Sequence, residues 1–202
     1  MGLNLFISTL EQGLAYGLLA LGVYLTFRIL DFPDLTVEGS FPLGAAVCAK
    51  LIVLGVNPFL STFLAFFAGG IAGIITGLIN TKLKIAGLLA GILTMTSLYS
   101  INLRIMGKSN IPLLRKGTIF SIIKEWFSSY YITIIGFIII VFTIKLLIDY
   151  FLFTEIGMAV RATGDNPVMI RSLGVNTDFI KILGLSIANG LVALSGALVA
   201  QY

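Results

Sequence analysis

The chain has 202 residues, 58% of them hydrophobic and only 11% charged, and a mean hydropathy of +1.06. A soluble domain carries about 25% charged residues, so this composition excludes a water-exposed globule and points to a chain solvated by lipid. The net charge of +4 comes without a clustered basic face, which excludes nucleic acid as a partner, and the single cysteine, Cys48, excludes an intrachain disulfide.

Apolar stretches of about 20 residues are read as spans, because a helix rises about 1.5 Å per residue across an apolar core of about 30 Å. Six are predicted, over 5–28, 41–56, 59–81, 85–106, 131–153 and 180–202. The expected fold is therefore all-α: one polytopic transmembrane helical bundle over 1–202, with a broken segment after the first span and a short-helix loop at 155–179. The first stretch has no basic leader and exceeds the 7–15 apolar residues, about, of a signal peptide, so no cleavable signal is expected.

After the first span, Asp31, Asp34 and Glu38 crowd into a segment bounded by Pro33 and Pro42. Proline and the residue before it resist continuous helix, which predicts a break over 31–40. Two readings are open: an ordinary loop whose acids face water, or a break at membrane depth that lines a path. On the third span Gly69, Gly73 and Gly77 form a ladder of small residues, and Gly13 with Gly17 and Gly87 with Gly91 repeat the spacing. Such ladders predict close helix–helix approach.

The fourth span has a polar side with Thr94, Ser97 and Asn102, flanked by Thr96, Tyr99, Ser100 and Arg104. These groups serve either as interhelical glue or as a solute path. The candidate path residues are Asp34, Glu38, Thr94, Ser97, Asn102 and, on the last span, Asn189. The loop 107–130 holds Lys108, Pro112, Arg115 and Lys116, then a half-apolar stretch, Ile119 to Phe127, suited to the membrane surface. Lys145 and Asp149, four apart on the fifth span, are spaced to pair.

The loop at 155–179 is the sharpest feature. Gly157 to Thr163 reads as a short helix, Asp165 or Asn166 as a cap, Pro167 as a first helical position, and Gly174 as the glycine that ends a second short helix over 167–173. Either this is a compact docking knob or a solvated loop with incidental helix. Arg161 has the planar fork to tie such a knob together. The chain stops at Tyr202 inside its last apolar run, with no basic flank after it, the pattern expected of a truncated piece. There is no P-loop, no zinc-protease or nucleophile-elbow motif, and no histidine, so no enzymatic activity and no bound cofactor are expected.

The run from Gly157 to Asn176 resembles the cytoplasmic coupling loop of bacterial ABC permeases of the branched-chain amino acid and ribose importer superfamily, with Arg161-Ala162, Asn166 and Gly174 at the matching places. The segment from Phe32 to Ala45 resembles that family's broken stretch. Its acidic form, together with the run from Gly91 to Gly107, is similar to a subgroup associated with lipoprotein binding proteins and with aromatic amino acids as the expected substrates. The resemblance implies the permease subunit of an ATP-driven importer of an amino acid or similar small solute, multi-pass in the bacterial cell membrane. It implies an ATP-binding subunit that holds the ATP, an extracytoplasmic substrate-binding lipoprotein, and a second permease copy in a homodimer. Arg161, Ala162, Asn166, Pro167 and Gly174 would form the ATPase coupling loop, which places 155–179 inside and the N-terminus outside. Basic residues divide almost evenly between the two sides, so charge alone does not orient the chain. The family continues for further spans past the position of Tyr202. Two other readings stay open from the residues: an ion-coupled secondary transporter using Asp31, Asp34 and Glu38, and a non-transporting membrane scaffold.

Overall fold

The computed structural model describes residues 2–108, 110–113, 116–126 and 132–202; Met1, Arg115, Phe127 and position 131 lie outside the described residues. Its elements are α1 (Gly2–Tyr24), continued by one π-helical turn (Leu25–Ile29), then α2 (Val37–Val53), α3 (Pro58–Lys82), α4 (Gly87–Met106), α5 (Ile119–Trp126), α6 (Ile132–Phe153), α7 (Glu155–Asp165), α8 (Pro167–Ser172) and α9 (Thr177–Gln201). No strand occurs among the described residues.

Helix starts follow local chemistry. Asn57 accepts a hydrogen bond from the Phe59 amide at 2.9 Å ahead of Pro58, and Asn176 accepts one from the Phe179 amide at 3.1 Å. Each satisfies an amide that has no partner inside its own helix. Gly107 ends α4 in the left-handed region at φ 67°, and its N–H returns to the Leu103 carbonyl.

Five helices among the described residues are long and apolar enough to cross a membrane: Ser8–Ile29, Pro58–Lys82, Gly87–Met106, Ile134–Phe153 and Thr177–Gln201. The sequence predicts six. The difference is α2, whose 17 residues rise only about 25 Å. The chain gains the missing depth in non-helical form, through residues 30–36. The predicted break over 31–40 is correspondingly shorter. Helix resumes at Val37, and Pro42 lies inside it.

The most enclosed helix is α9, which packs on α1, α2 and α3. Its Leu185, Ala188, Asn189, Val192, Ala193 and Ala197 have no exposure at all. Close approach comes from glycine. A Cβ on Gly69 would strike Ala193 and the Asn189 carbonyl, one on Gly73 the Leu185 carbonyl, and one on Gly44 of α2 the Ala193 carbonyl. The two other ladders behave differently. A Cβ on Gly13 would meet nothing within 4 Å among the described residues, and one on Gly17 only Val141 of α6 at 3.9 Å, an ordinary contact rather than a close approach. Gly87 and Gly91 pack on the broken segment instead of on a helix: Cβ atoms there would lie 2.8 Å from the Phe32 ring and 2.8 Å from the Leu35 amide nitrogen.

A polar knot closes one end of the bundle. The Gln201 amide donates to Thr62 Oγ1 at 2.6 Å and Cys48 Sγ at 3.1 Å, and accepts from the Ile119 amide at 3.2 Å. It thereby joins α2, α3, α5 and α9. On α6, Lys145 and Asp149 form the predicted ion pair, half exposed.

Replacing Gly73 with valine is expected to prevent a stable bundle, because the Leu185 carbonyl is backbone and cannot move aside. Gly13→Ala has room for its methyl group and should instead stabilise the helix by about 0.5–1 kcal/mol. Size-exclusion profiles and thermal midpoints in detergent check both.

Candidate functional site

The site begins where α1 stops. Asp31 takes a left-handed φ of 50°, a conformation Asp tolerates better than most residues, and redirects the chain. Residues 32–36 then run without helix, with Phe32 and Leu30 buried against Gly87 and Gly184. Asn189 fixes the depth of this run, for it stands twelve residues from either end of α9. The broken segment thus climbs to the middle of a helix long enough to span the bilayer. Irregular backbone at that depth is tolerated only when protein or a cavity surrounds it.

Here protein surrounds it through a sealed hydrogen-bond network. The Asp34 carboxyl, fully buried, accepts from the Thr36 amide at 2.8 Å and from Asn189 Nδ2 at 2.7 Å. Asn189 Oδ1 in turn accepts from the Ser40 hydroxyl at 2.7 Å. Thr36 and Thr76 share a hydroxyl–hydroxyl bond of 2.7 Å, and Thr76 donates to Thr94 at 2.9 Å. Four helices and the break meet in this one cluster. The carboxyl also lies before the first turn of α2, where unpaired amides favour an acceptor.

The predicted path residues therefore separate. Asp34, Thr94 and Asn189 come together in the sealed network. Glu38 and Asn102 line an open groove of about 480 Å³ between α2 and α4, along with Pro42, Met95, Thr96, Tyr99, Leu103 and Met106. Ser97 joins neither. It is exposed and donates to the Leu93 carbonyl of its own helix at 2.8 Å. Ser40, Thr36 and Thr76 escape sequence reasoning, because a lone hydroxyl in an apolar helix looks the same whether it bonds its own backbone or a neighbour.

At the other end stands the knob. Thr154 caps α7, and Asn166 caps α8 by accepting from the Met169 amide at 3.0 Å behind Pro167. Ala162 gives its carbonyl to the Asn166 amide at 3.0 Å, which joins the two helices' ends. Gly174 is left-handed at φ 87°. Gly164 presses on the Ile29 carbonyl, which docks α7 on the end of α1. The tie predicted for Arg161 belongs to Arg171, whose guanidinium donates to Thr177 Oγ1 at 2.8 Å and to Asp178 at 2.6 Å. Arg161 instead lies over the Phe153 ring, 5.7 Å from its centre. Sequence could have suggested Arg171, six and seven residues before its partners across the Gly174 turn.

Membrane-crossing helices packed around an enclosed broken segment define a multi-pass membrane protein. The chain belongs to the family described as the branched-chain amino acid transport system / permease component, which it matches over residues 5–202. It is 48% identical over 196 residues to a tyrosine transport system permease protein of Clostridioides difficile (strain R20291), covering 97% of this chain and 64% of that one. It is 41% identical over 201 residues to an uncharacterized protein of Rickettsia prowazekii (strain Madrid E), covering 98% and 69%. The chain thus spans a little under two thirds of the first relative's length. No solved structure matches it.

Removing Asn189 would take the side-chain partner from both Asp34 Oδ2 and the Ser40 hydroxyl. Asn189→Ala is expected to destabilise by about 1–3 kcal/mol per stranded group. The double variant Asp34→Ala/Asn189→Ala should cost less than the sum of the two single changes, because each removes a partner the other already lacks. Thermal melting of the four proteins in the cycle measures the coupling.

Proposed function

We propose that the chain is the membrane-spanning permease subunit of an ATP-driven importer for an amino acid, in the bacterial cell membrane. One observation carries this reading. Glu38 is exposed from the bundle within one turn of the sealed network, near the middle of the membrane depth. A charged side chain facing lipid there costs about 2.5–3.5 kcal/mol or more. The face bearing Glu38, Thr96 and Tyr99 accordingly belongs against an aqueous path or a second protein surface, and a second permease copy supplies both. The name of the Clostridioides relative supports tyrosine, or an aromatic amino acid of that kind, as the solute.

The knob supports an ATP-binding partner. Val168, Met169 and Leu173 are 79%, 57% and 67% exposed, a cluster of apolar side chains on a capped projection. Side chains of this kind bury readily in a groove of a partner, and Met fits irregular ones. The ATPase subunit would hold ATP, and this chain would bind no cofactor. An extracytoplasmic lipoprotein would deliver the solute to the opposite face. The ion-coupled reading draws less support, since Asp31 and Glu38 are exposed while Asp34 between them is enclosed.

Vesicles holding the permease with its ATPase and binding lipoprotein should take up labelled L-tyrosine only when ATP is present. Equal uptake without ATP, or none of any amino acid, would sink the importer reading. Gly174→Val forces a side chain into a left-handed turn and should tilt the knob. It is expected to lower uptake by about tenfold, the equivalent of about 1.4 kcal/mol of lost coupling. The variant should still insert in the membrane, as surface labelling would show.

A further inference from the structure

We propose that the groove between α2 and α4 is a subsite for the ammonium group of an amino-acid solute, held by Glu38 and Asn102. The inference rests on the importer reading and adds the place and chemistry of recognition. The first observation is an imbalance of hydrogen-bonding groups. Asn102 is 5% exposed, and its Oδ1 is sealed with no donor in reach among the described residues. Its Nδ2 donates to the Gly39 carbonyl at 3.3 Å, which sets the orientation of the amide and leaves the oxygen as the orphan. A buried acceptor without a donor is costly, so its persistence calls for a ligand that completes it.

The second observation is that the groove's other oxygens, the Tyr99 hydroxyl apart, serve as acceptors too. The Glu38 side chain is on the wall. Pro42 has no N–H to give the Glu38 carbonyl four residues earlier, so that helical bond cannot form. Thr96 spends its hydroxyl proton on the Ile92 and Leu93 carbonyls at 3.0 Å each. Among the described residues, no lysine or arginine lines the groove. An ammonium group, with three protons to donate and one positive charge, matches this set, whereas a carboxylate or phosphate does not.

The remaining wall is apolar: Met95, Leu103, Met106 and the Tyr99 ring. These surfaces suit a hydrophobic or aromatic side chain on the same solute. The volume of about 480 Å³ falls in the range of small-molecule sites. Because Oδ1 is sealed, its engagement would require α2 and α4 to part at the Asn102–Gly39 contact, a bond at the long end of the hydrogen-bond range.

The test uses the purified importer, with L-tyrosine and its des-amino analogue 3-(4-hydroxyphenyl)propionate as probes. Equilibrium binding to the detergent-solubilised permease and ATP-driven uptake in vesicles are both measured. L-tyrosine should bind and the des-amino acid should not. Glu38→Gln and Asn102→Leu should each weaken L-tyrosine binding about tenfold, the loss of one charge-assisted contact. Asn102→Leu removes the orphan oxygen, so its thermal midpoint should match or exceed that of the unaltered protein while uptake falls. A purely structural asparagine would give the opposite pairing. Normal uptake in both variants, equal binding of both probes, or no L-tyrosine binding to the permease would overturn the subsite while leaving an ATP-driven importer standing. Ammonium-dependent binding without ATP-driven uptake would keep the subsite and remove the importer reading.

Discussion

The structure depends on one constraint: non-helical backbone has been carried to the middle of a membrane-spanning bundle. Residues 30–36 cannot bond to one another as a helix does, and lipid offers them nothing. Their partners come from the preceding turn, from within the segment and from side chains of distant helices. The Asp34 carboxyl gathers the Thr36 amide on one side and Asn189 on the other, and Asn189 draws in Ser40. Glycines at 87 and 91 let the chain lie directly on α4, with no side chain between them. The same scarcity of bulk along α3 and α9 brings backbone close to backbone where no hydrophobic force acts between helices.

This constraint divides the polar groups of the membrane interior into two kinds. Those that hold the break are enclosed and mutually bonded, as Thr36, Thr76 and Thr94 are. Those beyond it, Glu38 and Asn102, face a groove and are not fully matched. The separation takes place across the junction between the broken segment and the first turn of α2. Asp34 and Glu38 are four residues apart, yet the first is fully buried and the second exposed. A rigid polar core beside a groove with unsatisfied acceptors is a physical basis for selecting a solute without losing the fold.

The break also reaches the knob. Ile29, the last residue before it, gives its carbonyl to the close contact with Gly164, and Leu30 packs with Val160 and Ile180. The base of the knob and the start of the broken segment are therefore one packed unit. A displacement of α7 and α8 would be felt first at residues 29–32, the segment whose far end carries Asp34 and leads into the groove wall. The packing of Gly164 on Ile29 and of Leu30 on Val160 and Ile180 is the contact through which the two would meet.

Composition and span length by themselves determined that the chain is an all-helical membrane protein, because a charge content this low leaves no other solvent for its surface. Proline and acid spacing located the break, and the Asn-Pro and glycine pattern located the two short helices of the knob, since capping and turn chemistry are local. What lay beyond reach were choices made by distant partners. Whether Asp34 faced a path or a neighbour was decided by Asn189, 155 positions away. The ties of the knob were decided by Arg171 rather than Arg161. Periodicity records which residues avoid water. It does not record which of several hydroxyls, amides and carboxyls in an apolar bundle will meet, because that depends on which helices glycine allows to approach.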